Sequence, residues 1–200
     1  MREILPQSNQ NIDQYLNELP PSMQNAVEKI RQQKKDSTRP LPSTTLIDHS
    51  QILNADKRTT ILDKVAMLVD ENIFGRCEMC SQFALLLARA IKHAGFNARA
   101  VKGNAKYRKQ NGDWFTWEHA WVEANSELID GNVDSMVENP MIPMDISPFP
   151  FWGKKSVIPD DREFLSSTKL SLHDPDVEKI WWPDLRNWLT LVLGGKRDHL

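Results

Sequence analysis

From Asn54 to Asn72 the apolar residues Ile61, Leu62, Val65, Leu68 and Val69 recur at intervals of three and four, which is one face of an α-helix, and Asn54 or Asp56 can supply its N-cap. After a break at Gly75, the run Cys80 to Ala94 places Phe83, Leu87, Ala90, Ile91 and Ala94 on one face. Gly95 follows where a left-handed C-cap would end the helix. The period then changes. Asn97 to Gly103 reads as a strand, and Asn111-Gly112 is a hairpin turn signal between Tyr107 and the aromatic run that starts at Trp114. Trp114 to Ala124 and Glu127 to Asp130 form a second hairpin with Asn125-Ser126 at its turn. Two helices followed by an antiparallel meander predict an α+β fold.

The two ends read differently. Residues 1–45 are polar, broken by Pro20, Pro21, Pro40 and Pro42, with one helix-like stretch from Met23 to Gln33, and they predict a loosely attached N-terminal arm. Beyond Asn139 the chain carries Pro140, Pro143, Pro148, Pro150 and Pro159 and predicts irregular structure. A last amphipathic helix from about Asp176 to Leu193 bears Trp181, Trp182 and Trp188. With 200 residues, 40% of them hydrophobic, one core is the expectation. The single domain 1–200 then divides into the arm 1–45, a core 54–139 and an extension 140–200 packed on it.

Charge removes some partners from consideration. The 25 basic and 27 acidic residues are interspersed and leave a net charge of -2, which gives no field to gather nucleic acid or an anionic membrane. The N-terminus lacks the apolar core of a signal peptide, and no stretch approaches the roughly 18 apolar residues of a membrane span. Both cysteines, Cys77 and Cys80, lie too close in sequence to staple distant parts of a fold, so a soluble, cytoplasmic protein in a reducing compartment is expected.

Cys80 opens a helix, where unpaired N–H groups and the positive end of the dipole favour a thiolate and offer donors to an oxyanion. A base is within reach of the topology. Alternation puts Trp117, His119 and Trp121 on one strand face, and a two-residue turn at Asn125-Ser126 pairs Ala124 with Glu127 and Val122 with Ile129. Asp130 then becomes a diagonal neighbour of His119, roughly 5 to 8 Å away between backbones. A carboxylate there fixes the imidazole tautomer and stabilises its protonated form. Asp134 falls beyond the short hairpin and is the weaker substitute. Cys77-x-x-Cys80 also reads as a redox pair or half a zinc site. However, no second cysteine pair exists, and His49, His93, His119, His173 and His199 do not cluster at ligand spacing.

The segments GRCEMCSQFALLLARAIKHAGFNARAV and WEHAWVEANSELIDGN resemble the core of the transglutaminase-like superfamily, which includes microbial thiol proteases, peptide N-glycanases and lasso-peptide leader peptidases. In that family the nucleophile is followed by a small residue four positions on and by Gly-hydrophobic-x-Ala-Arg some fifteen on. Counting from Cys80 meets Ala84 and Gly95-Phe96-Asn97-Ala98-Arg99, whereas counting from Cys77 misses the glycine. The family's His-Ala-Trp-x-Glu strand matches His119 to Glu123, and its aspartate after a hairpin matches Asp130. The resemblance covers about residues 73–133. It departs in two places: Gly131 stands where proline is common, and the glycine before the nucleophile is Gly75 rather than two positions upstream.

The resemblance implies a papain-like, transglutaminase-type core and a catalytic triad of Cys80, His119 and Asp130. It further implies acyl transfer at an amide of a protein or peptide, without metal or organic cofactor. Hydrolysis is the leading expectation. Protein transglutamination, an acyl-CoA-type acyltransferase resembling the arylamine N-acetyltransferases, and a non-catalytic peptide-binding module on the same fold are the alternatives. Nothing in the sequence identifies the substrate or the oligomeric state.

Overall fold

The computed structural model describes residues 9–171 and 173–193. Its elements run α1 (Asn9–Glu18), α2 (Pro21–Lys35), β1 (Ile47–His49), α3 (Ala55–Val69), α4 (Cys80–His93), β2 (Ala98–Arg108), β3 (Trp114–Ala124), β4 (Glu127–Asp130), β5 (Phe151–Lys154), β6 (Arg162–Lys169) and α5 (Trp182–Val192). The strands make one sheet in the order β1-β5-β4-β3-β2-β6, antiparallel throughout except for the β1–β5 pair. The fold is α+β.

Local chemistry sets the boundaries. Asn54, rather than Asp56, caps α3, its Oδ1 accepting from the Lys57 N–H at 2.8 Å. The α4 terminus closes through Phe96 N–H to Ile91 O, at 3.2 Å, and Gly95 N–H to Lys92 O, at 2.9 Å. The β3–β4 hairpin has the register that the Asn125-Ser126 turn predicts, with Ala124 opposite Glu127 and Val122 opposite Ile129. The C-terminal helix begins with a π turn, Val177–Trp181, before α5. Pro183 has no N–H with which to continue an α ladder there, and the Trp182 N–H reaches back to Val177 O instead.

One face of the sheet is mostly small: Ala98, Ala100, Ala120, Val122, Ala124 and Ile129. Those short side chains let α4 lie close, and it buries Phe83, Leu86, Leu87, Ala90 and Ile91 between the sheet and Ile61, Leu62, Val65 and Val69 of α3. Trp181, Leu185 and Leu189 dock the C-terminal helix on the same core. The opposite face carries Val101, Trp121, Leu128 and Phe151 in one cluster, and Ala105, Tyr107, Val133, Met136, Ile142 and Ile146 in another.

Three strands lie outside the meander read from sequence. β5 sits between β1 and β4 although Pro148 and Pro150 precede it. A proline cannot donate to a ladder, but its carbonyl still accepts, and Ile47 N–H bonds to Pro150 O at 2.8 Å. The proline-broken N-terminal region is also more firmly held than a loose arm. α2 buries Val27 and Ile30, Lys34 donates to Asn72 O at 2.6 Å, and Arg39 pairs with Asp70 at 2.7 Å and with Glu138.

Gly131, immediately after β4, explains why the chain carries no larger residue there. A Cβ at this position would stand 2.6 Å from Leu62 Cδ1 and 3.0 Å from Phe83 Cε1, so a larger residue would have to push these buried side chains of α3 and α4 aside. Gly131→Ala is therefore expected to lose about 1–3 kcal/mol of unfolding free energy through overpacking, measured by urea denaturation as a lower midpoint with an unchanged m-value.

Candidate active site

Cys80 is the first residue of α4. Its N-cap, Met79, offers no side-chain cap, and the first main-chain bond of the helix runs from Phe83 N–H to Met79 O at 2.9 Å. The N–H groups of Cys80, Ser81 and Gln82 thus precede the helical ladder, which puts the positive end of the helix at the thiol. β4 contributes the other half of the placement by being short. Its ladder with β3 covers only Val122 to Ala124, so the Ala120 N–H is left to donate to the Cys80 sulfur.

His119 and Asp130 are both buried, and Nε2 of His119 lies 2.8 Å from Oδ1 of Asp130. An ionised carboxylate can only accept, so Nε2 carries the proton of that bond, and Nδ1 is the ring nitrogen left for Cys80. The ring plane is set by Trp121, stacked at 6.5 Å between centroids, and by Tyr107, edge-on at 6.1 Å. Asp130 is held in turn by Arg162 Nη1 at 2.9 Å and by the Tyr107 hydroxyl at 3.3 Å. Arg162 is itself buried and turns its other nitrogens to Asp161, at 2.7 and 3.0 Å.

These contacts decide the protonation states. Burial alone would push the Cys80 thiol up. The hydrogen bond and charge of His119, the Ala120 N–H and the Ser81 hydroxyl outweigh it and leave the thiol below its ordinary range. Burial would likewise push His119 down, but the charge and hydrogen bond of Asp130, with a smaller share from Cys80, raise it to about 10. Burial works against the Asp130 carboxylate too, and His119 and Arg162 hold it below its usual range. Between the two titrations, the sulfur is a thiolate and the ring an imidazolium.

Cys80, Ser81 and His119 open on a cavity of about 420 Å³, whose walls also include Cys77, Trp117, Asn132, Ser135 and Met136. Cys77 shares the cavity but has the opposite electrostatics: burial and the carboxylates of Glu78 and Glu138 push its thiol up. Asp134 pairs with Arg76 at 2.9 and 3.0 Å, so Asp130 is the carboxylate on His119. Sequence reading missed Tyr107 and Arg162. They sit opposite one another in the β2–β6 ladder, and only recognition of β6 would have brought them to Asp130. Among the described residues, no three His, Cys, Asp or Glu side chains converge as a metal site, and no helix is long and apolar enough to cross a membrane.

Iodoacetamide modification, located by peptide mass, is expected to rise with pH at Cys80 along a curve centred below the ordinary thiol pKa of about 8.5, because alkylation follows the thiolate fraction. In His119→Ala the curve moves up toward or beyond that value. Cys77 in the native protein stays unreactive across the same range.

No protein-family model matches the chain, and no curated protein matches it. A crystal structure described only as that of a genomics target is similar over 70% of this chain and 82% of its own, at 12% identity and a TM-score of 0.43. That degree of likeness assigns neither a family nor an activity.

Proposed function

We propose that this chain is a cytoplasmic thiol enzyme with a papain-like, transglutaminase-type core, which hydrolyses an amide bond in a peptide or protein. The observation that carries the reading is the placement, in one cavity, of a thiol at the start of a helix and an imidazole hydrogen-bonded at 2.8 Å to a buried carboxylate. Two free cysteines are consistent with a reducing compartment.

The steps follow from the atoms in place. The Cys80 thiolate attacks the substrate carbonyl carbon, forming a C–S bond while the carbonyl electrons move onto oxygen. The N–H groups at the start of α4 stabilise that oxyanion. As the tetrahedral species collapses, the C–N bond breaks and the departing amine takes the proton from Nδ1 of His119. A thioester remains on Cys80. Neutral His119 then removes a proton from water, which attacks the thioester, expels the thiolate and releases the acid. Asp130 keeps Nε2 bonded throughout, so the ring presents Nδ1 in both half-reactions.

The reading is tested by incubating the protein with a complex peptide mixture and counting new N-termini by mass spectrometry. Parallel reactions supply a labelled primary amine or labelled acetyl-CoA. The expected result is new termini with wild type and with Cys77→Ser, and a loss of about 10⁴-fold or more with Cys80→Ala. Activity should also fall as pH rises through about 10, where His119 gives up the proton that the leaving amine requires. Amine incorporation without cleavage would select transglutamination, an acetyl thioester on Cys80 would select the acyltransferase, and no covalent turnover in any arm would favour a binding module.

A further inference from the structure

A buried ionic cluster lies just upstream of Cys80, away from the groups that would touch substrate. Arg76 is at its centre, with a side chain that is 0% exposed. Its guanidinium is fully engaged: Nε with Asp70 Oδ2 at 3.2 Å, Nη1 and Nη2 with the two oxygens of Asp134 at 2.9 and 3.0 Å, and Nη2 also with Pro40 O at 2.8 Å. Its main-chain N–H donates to Asp70 Oδ1 at 3.0 Å, and that same oxygen receives Arg39 Nη2 at 2.7 Å.

The carbonyl of Arg76 is equally occupied. It accepts from Met79 N–H at 3.1 Å and from Asn132 Nδ2 at 3.0 Å, and more weakly from Ser135 Oγ at 3.3 Å, whose one hydroxyl hydrogen is shared with the nearer Asn132 O at 2.8 Å. The first of these bonds shapes the turn that delivers the chain into α4 at Cys80. The other two come from the segment that leaves β4 directly after Asp130. One carbonyl therefore joins the loop ahead of the nucleophile to the loop behind the carboxylate. Gly75 admits this arrangement, because its φ is +58° and a Cβ there would lie 2.8 Å from Asp70 Oδ1.

We propose that Arg76 is a positioning residue, clamped at its guanidinium by Asp70 and Asp134 and at its carbonyl by Asn132 and Ser135, and that it sets the place of Cys80 relative to His119–Asp130. The inference rests on the thiolate–imidazolium reading above. Fork geometry is what the site uses, since two parallel bonds to Asp134 fix direction as well as distance. Lysine, a single rotatable point charge, cannot reproduce it. The cluster explains the departure from the transglutaminase-like pattern at Gly75: the glycine stands next to the clamp it accommodates rather than next to the nucleophile.

The test is the pH midpoint of Cys80 alkylation by iodoacetamide in the full chain, for wild type, Arg76→Lys and the double variant Asn132→Ala/Ser135→Ala, with folding checked by circular dichroism. The double variant leaves the guanidinium pairs intact and removes the carbonyl clasp together with part of the cavity wall, whereas Arg76→Lys leaves that wall untouched. The expected result is a folded protein whose Cys80 midpoint rises by about one pH unit, with alkylation about tenfold slower below the wild-type midpoint. A role confined to stability would lower the melting temperature and leave the midpoint in place. Should either of those variants fail to fold, Asp134→Asn, which weakens the fork on Arg76 without touching the cavity wall, decides the question by the same shift. Wild-type Cys80 titrating as an ordinary thiol would defeat the catalytic reading itself. A depressed wild-type midpoint that persists unchanged in folded variants would overturn the role of Arg76 alone.

Discussion

The carboxylate of Asp130 is the point on which the site depends. It is fully buried and is held by three donors: His119 Nε2, Arg162 Nη1 and the Tyr107 hydroxyl. An unpaired carboxylate in that position would take up a proton rather than remain charged. With Arg162 beside it the charge persists, and the charge in turn keeps His119 protonated against the pull of burial. With the thiol ionised, the negative charges of Cys80 and Asp130 face the positive charges of His119 and Arg162, and Arg162 is shared with the partly exposed Asp161. Removing one member of such a set typically costs about 3–5 kcal/mol, because the remaining charge is left without its partner.

Backbone architecture brings the thiol to this group. α4 can approach the sheet because the face it covers is lined largely by alanine, and it can begin beside His119 because β4 stops at Asp130. A longer β4 would occupy the edge of β3 where the Ala120 N–H meets the Cys80 sulfur. Gly131 lets the chain turn away against Leu62 and Phe83. The short strand, the glycine after it and the small residues beneath the helix are thus linked conditions for one geometry. The second ionic cluster, around Arg76, ties the two loops that flank it.

The part of this arrangement that was legible in the sequence is the part governed by local rules. The three- and four-residue spacing in α3 and α4, the Asn125-Ser126 turn and the alternation through His119 placed Cys80, His119 and Asp130 correctly along their elements. The hairpin register, which puts Asp130 diagonal to His119, followed from the turn length alone. β5 and β6 did not declare themselves: Phe151 to Lys154 is four residues long among prolines, and Arg162 to Lys169 has no clear alternation. Their pairing is decided by contacts with β4 and β2 that are distant in sequence. Tyr107 and Arg162 were missed for that reason, since a lone arginine after two aspartates carries no local signal of a buried carboxylate partner. The anchoring of the N-terminal region through Arg39 was hidden in the same way, because its partners Asp70 and Glu138 are 31 and 99 residues away.

The most direct measurement of this account is an NMR titration of the His119 imidazole in the native protein, assigned by comparison with His119→Gln. The ring is expected to stay protonated through neutral pH and to titrate near 10, with the bound proton on Nε2 exchanging slowly because Asp130 accepts it. A ring that titrates at or below about 6.5, the value of an unperturbed histidine, would contradict it. Asp130 would then not be supplying the charge on which the thiolate–imidazolium pair depends.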